Sequence, residues 1–107
     1  MNELLGKWIL DGKKPVREEN AIKWAYWFET ADRQVAYDEL ATLDGLVQVS
    51  TVFLGLDHNF SGHGKPLLFE TMIFGGKDNA HMVRTSSWSK ALAAHKYMLE
   101  VAKDGHN

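Results

Sequence analysis

The sequence predicts an α+β fold: an antiparallel sheet of four to five strands, with an N-terminal and a C-terminal helix packed on one face. Three observations carry it. Asp44-Gly45 sits between two β-rich runs, which signals a hairpin. A second pair of strand-like runs follows, so strands come as a block. A long helical stripe then closes the chain. The expected organisation is a single domain over residues 1–107.

Lys7 to Leu10 is short and apolar, an optional edge strand. Asp11-Gly12 makes a turn, and Pro15 stands where a helix can begin. Arg17 to Asp32 is the expected first helix. Its Ala21, Ile22, Trp24, Ala25, Tyr26, Trp27, Phe28 and Ala31 cover more than one narrow stripe. A helix apolar over so much of its circumference is either deeply embedded or lends its second face to a partner.

Gln34 to Leu43 and Leu46 to Leu54 are the first hairpin. A two-residue turn at Asp44-Gly45 would pair Leu43 with Leu46, Tyr37 with Val52 and Val35 with Leu54. Leu67 to Phe74 is apolar on both faces, as a central strand is. The Gly75 to Asn79 turn returns it as Ala80 to Arg84, which sets Glu70 opposite Arg84. Ser86 or Ser87 caps the last helix. Trp88, Ala91, Leu92, His95, Met98, Leu99 and Ala102 form its apolar stripe, and Gly105 is its stop.

The composition excludes several functions. There are no cysteines, so disulfides, thiolate metal sites and cysteine nucleophiles are absent. A net charge of −2 argues against a general nucleic-acid binder. No apolar run is long enough to span a bilayer, and no membrane partner is expected. The opening MNELLGKWIL has Glu3 and Lys7 among its apolar residues, unlike an export signal. The cytoplasm is therefore the expected compartment.

Two regions carry candidate function. The first is the twelve-residue segment GLDHNFSGHGKP, residues 55–66, longer than most hairpin loops. It holds Asp57, His58, His63 and Lys65, with Phe60 as a possible anchor to the body. His58 and His63, joined by Asp57 or Glu70, offer ligands for zinc or another divalent metal. One histidine could instead act as a general acid–base. A plain polar surface loop is the competing reading, and the spacing matches no strict motif. Gly62-His63-Gly64-Lys65 is not a P-loop, because Pro66 and a strand follow it. His95 lies mid-helix in the apolar stripe. It is either a packed histidine bonded to a carbonyl or carboxylate, or a group reaching His58, His63 or Glu70 beneath the loop.

The second region is the first helix, where Trp24, Trp27 and Phe28 form a candidate protein interface.

The segments VSTVFLGLDHNF (49–60), PLLFETMIFGG (66–76) and RTSSWSKALAAH (84–95), with WILDGKKPV (8–16) and WFETADRQVA (27–36), resemble a family of small bacteriophage and prophage proteins. The likeness covers about residues 8–101, and the family has no established activity. The resemblance implies a viral accessory protein made inside a bacterium. It transfers no catalytic or binding residue, and the SGHGKP loop departs from the family's plainer Gly/Pro-rich segment.

The expected function is an accessory protein that binds a host protein, such as a component of a defence system, with no cofactor. The alternatives are a small metal- or ligand-binding enzyme built on residues 55–66 and a structural homodimer.

Overall fold

The computed structural model describes residues 6–104. The elements run β1 (Trp8–Asp11), β2 (Lys14–Arg17), α1 (Ala21–Thr30), β3 (Gln34–Thr42), β4 (Gly45–Phe53), β5 (Phe69–Phe74), β6 (Met82–Thr85) and α2 (Trp88–Asp104). The fold is α+β. It has a four-stranded antiparallel sheet in the order β3-β4-β5-β6 and a separate two-stranded hairpin, β1-β2.

The expected N-terminal helix is therefore preceded by a hairpin. The segment expected as an optional edge strand does not join the main sheet. It pairs locally, Leu10 opposite Pro15 and Trp8 opposite Arg17. Pro15 thus starts no helix; lacking an N–H, it is tolerated in a strand with an open edge. The helix begins later because Asn20 caps it. The Asn20 carboxamide oxygen accepts from Ile22 N at 3.0 Å and Lys23 N at 2.9 Å.

The β3-β4 hairpin keeps the expected strands but slips its turn by one residue. Thr42 pairs with Gly45 and Tyr37 with Ser50, rather than Leu43 with Leu46 and Tyr37 with Val52. Asp44-Gly45 is not a type I′ centre: Leu43 and Asp44 have negative φ, and only Gly45 has positive φ, at 105°. Glycine thus follows the turn, where a left-handed residue closes a type I loop. Thr42 fixes this choice, donating its hydroxyl to Gly45 O at 2.6 Å and accepting from Asp44 N at 3.2 Å. A bulge leaves Val35 unpaired and packed onto the core. The second hairpin has the expected register, with Glu70 opposite Arg84 and Met72 opposite Met82.

Alternation gives the sheet two unlike faces. The inner face carries Val47, Val49, Thr51 and Phe53 from β4 and Phe69, Thr71 and Ile73 from β5, all buried. Helix α2 lies across it and touches all four strands. Its stripe buries Ala91, His95, Met98 and Ala102, while Leu92 is left exposed. Ser87 caps it by accepting from Lys90 N at 3.2 Å. The expected stop at Gly105 lies outside the described residues. Each fully buried aliphatic or aromatic side chain here stabilises the fold by about 1.5–3 kcal/mol.

Helix α1 does not lie across the sheet beside α2. It packs on β1, and the Trp27 ring meets Phe53 edge-on at 5.7 Å. Among the described residues no helix is long and apolar enough to cross a membrane.

Among the described residues one non-glycine is strained. Ala80 has φ of 72°, a left-handed conformation that Cβ disfavours by roughly 1–2 kcal/mol. Ala80→Gly removes that clash and adds chain entropy to the unfolded state. The expected net gain is about 0.5–1 kcal/mol, measured by urea unfolding.

Candidate interaction surface

Helix α1 has no fully buried residue, so its second face is not embedded. Trp24, Trp27 and Phe28 are half-buried and turned towards the body. Trp24 Nε1 donates to Trp8 O at 3.1 Å and Gly55 O at 3.0 Å. The Trp24 and Phe28 rings stack at 4.8 Å, and the Arg33 guanidinium sits 3.9 Å from the centre of the Phe28 ring. Gly55 permits this seating. Its φ is +77°, and a Cβ there would lie 2.9 Å from the Phe28 ring. The three aromatics expected to meet a partner therefore attach α1 to its own chain. The exposed apolar residues of the helix are Ile22 and Tyr26, one turn apart and 83% and 71% exposed. Exposed Ala25 lies between them. Helical spacing alone marks both faces as apolar. It cannot say which face β1 covers, so it favoured the larger rings.

Residues 55–66 form a loop satisfied by its own side chains. Asp57 Oδ1 accepts from Asn59 N at 2.8 Å and Leu67 N at 3.0 Å. Asn59 Nδ2 donates to His63 O and Lys65 O, each at 2.8 Å. His58 Nδ1 lies 2.9 Å from Leu56 O, so that nitrogen carries a proton. His63 and Lys65 are exposed on the loop, and Glu70 is bound to Arg84 Nε at 3.0 Å on the outer sheet face. Phe60 is 69% exposed, so it does not anchor the loop; its ring tilts against His58 at 5.8 Å. Among the described residues no three His, Asp or Glu side chains are grouped to hold a metal.

His95 takes the packed alternative. Its Nε2 lies 2.8 Å from Asp38 Oδ2, and its Nδ1 2.8 Å from Thr51 Oγ1. Thr51 Oγ1 in turn lies 2.7 Å from Thr71 Oγ1. With one ring proton, placed at Nε2, every hydrogen has an acceptor: Thr71 donates to Thr51, Thr51 to His95, and His95 to Asp38. The order Asp-His-Thr resembles a nucleophile triad, but Thr51 has no exposed surface and no substrate can reach it. The sequence offered a carboxylate partner for His95; Asp38 was missed because it comes from a strand 57 residues away.

A shallow groove of about 470 Å³ is lined by Leu40, Ala41, Thr42, Leu43 and Lys103. It brings no pair of acid–base groups together. The outer sheet face is mixed: Glu39, Gln48 and Ser50 stand in register among Tyr37, Leu46, Met72, Phe74 and Met82. Tyr37, Leu46, Phe74 and Met82 are 46%, 56%, 43% and 38% exposed there, and no described element covers them. Tyr37 donates to Glu39 Oε2 at 2.8 Å. That bond, then burial and the Glu39 charge, raises its pKa above 10.0.

No protein family, curated protein or solved structure matches the chain.

Two outcomes follow from these contacts. Thr51→Val strands His95 Nδ1 and the Thr71 hydroxyl and costs about 1–3 kcal/mol. Thr71→Val deletes only the terminal donor and costs less than about 1 kcal/mol. Equal losses in denaturant titrations of the two variants would reverse the assigned donor direction. The phenol of Tyr37 ionises later than an ordinary tyrosine. Because the folded value is raised, the contribution is present below the unfolded pKa and lost as pH climbs through the folded one. Tyrosinate absorbance should show one late group that moves down in Glu39→Gln.

Proposed function

We propose that the protein is a non-enzymatic accessory factor that works by docking α1 against another protein. The observation that carries this reading is the unpartnered apolar strip of Ile22, Ala25 and Tyr26 on a helix whose opposite face is held by its own chain. Apolar positions at i, i+3 and i+4 on one exposed face are what a hydrophobic groove on a partner reads. The helix is pre-positioned by the Trp24 bonds to Trp8 O and Gly55 O, so docking orders little chain. The resemblance to phage proteins would make the partner a bacterial host protein met in the cytoplasm, defence components included. An enzyme on residues 55–66 has no such support, since the loop's Asp57 is spent on backbone amides and its histidines stand apart from His95 and Glu70. No cofactor belongs to this reading.

The test is the double variant Ile22→Glu/Tyr26→Glu. A partner isolated from bacterial lysate with the wild-type chain and then purified should bind the variant at least about tenfold more weakly by calorimetry. The unfolding free energy should change by no more than about 0.5 kcal/mol, because both side chains are exposed. Unchanged affinity would remove α1 as the contact surface.

A further inference from the structure

We propose that the open edge of β3 takes up an extended, basic segment of another polypeptide as an added strand of the sheet. This surface is separate from the strip on α1. β3 ends the strand order, and its described neighbours are β4 and, on the inner face, α2. Phe53 N donates to Arg33 O at 2.8 Å, and Leu54 N to Leu68 O at 2.7 Å. Odd-numbered residues of β4 therefore turn their backbone groups to β3, and even-numbered ones to β5. The β3 partners of the odd-numbered residues, Ala36, Asp38, Leu40 and Thr42, face β4 in return. The N–H and C=O groups of Tyr37, Glu39 and Ala41 are left pointing out of the sheet, and all three residues are exposed.

Backbone chemistry and charge identify the occupant. Alternating unpaired N–H and C=O groups on a fixed strand match another extended backbone. Edges kept from such pairing are short, bulged, or carry lysine or proline. The β6 edge has only four residues. On β3 the bulge lies at one end, where Gln34 Nε2 donates to Ala36 O at 2.8 Å and Thr51 O at 2.9 Å. From Ala36 to Thr42 the register is regular, and the strand has neither lysine nor proline. It carries acid instead, Asp38 on the inner side and Glu39 on the outer. Asp38 meets His95 and keeps 52% of its side chain exposed, while Glu39 accepts from the Tyr37 hydroxyl. The described ion pairs of Lys and Arg involve Glu19, Glu70 and Glu100, not these two carboxylates. Two acidic positions, one on each side of the edge, reject an acidic strand and select a basic one.

The same charges disfavour a second copy at this edge. The two-fold antiparallel register that uses all of 36–42 sets each Glu39 directly opposite its own counterpart, a like-charge pair. The incoming strand has a defined pattern when it runs antiparallel, the direction with the straighter hydrogen bonds. A base stands opposite Glu39 on the outer side and another opposite Asp38 on the inner side, so the two are consecutive. The inner-side position opposite Leu40 lies at the groove of about 470 Å³ lined by Leu40, Ala41, Thr42, Leu43 and Lys103, and it takes an aliphatic side chain. Lys103 is held there by Glu100 at 3.7 Å, which tempers its repulsion of a basic strand. The recognised sequence is therefore aliphatic-basic-basic within an extended segment.

Amide NMR of the full chain titrated with the peptide acetyl-Thr-Val-Leu-Lys-Arg-Val-Thr-amide tests this. The expected result is saturable binding with a Kd below about 1 mM. Hydrogen exchange at the Tyr37, Glu39 and Ala41 amides should slow at least about tenfold on binding. The same peptide N-methylated at its lysine keeps its charge and loses the backbone donor that faces Glu39. It should bind at least about tenfold more weakly, as should the peptide with Glu in place of both bases. Glu39→Lys, at an exposed position, should reverse the preference between the basic and acidic peptides. Absence of saturable binding overturns the proposal. Equal binding of the N-methylated peptide also overturns it, since the attraction is then charge without strand pairing. Protection of the same amides on concentrating the chain alone overturns it in favour of self-pairing. Ile22→Glu/Tyr26→Glu should bind the peptide as wild type, so this edge and the α1 strip stand or fall separately.

Discussion

Thr51 lies on β4, one of the two inner strands, with no exposed surface, and its hydroxyl must be satisfied from inside the protein. Leaving it unpaired would cost about 1–3 kcal/mol. Its partners, Thr71 and His95, come from β5 and α2, and His95 passes the chain on to Asp38 of β3. Three strands and the covering helix are thereby tied at one point. A purely apolar interface would tolerate sliding of α2 along the sheet. A hydrogen-bond chain of fixed length does not, because a shift of one helical turn would leave its members unpaired in a dry core. The apolar stripe supplies most of the burial, and the polar chain sets where α2 stops.

Much of this was legible in the sequence. The strand block, the Glu70–Arg84 register and the α2 stripe all depend on local periodicity, which a single sequence displays. The slipped turn was not legible, because it depends on whether glycine sits inside the turn or just after it. The Thr42 hydroxyl decides that through bonds of its own. The position of α1 was missed for a related reason. Pro15 is compatible with both a helix start and a strand with an open edge, and only the pairing of β1 with β2 selects the second. At the candidate site the aromatic enrichment of α1 was visible, but the division of its two faces was not. That division is made by Trp8 and Gly55, which lie 16 residues before and 31 residues after Trp24.

The histidines show the same limit from the other side. His58, His63 and His95 suggest a shared site when written along the chain. In space each is engaged locally or with a different element, His58 with Leu56 O, His63 with Ser61 and His95 with Thr51 and Asp38. Exposed apolar side chains are spread over α1 (Ile22, Tyr26), the outer sheet face (Leu46, Phe74, Met82), the β3-β4 turn (Leu43), the 55–66 loop (Phe60) and α2 (Leu92, Tyr97).

The seating of α1 also fixes an order of events during synthesis. The hairpin and α1, Trp8 to Thr30, leave the ribosome before residue 55 does. One of their attachment points does not yet exist, because the Gly55 carbonyl accepts from both Trp8 N and Trp24 Nε1. Until residue 55 emerges, Trp24 Nε1 has only the Trp8 carbonyl of its two acceptors, and a ten-residue helix has little stability alone. This segment is thus completed only once residue 55 has followed it. The nascent chain carries a cluster of exposed aromatics through that interval, which is when chaperones at the ribosome would meet it.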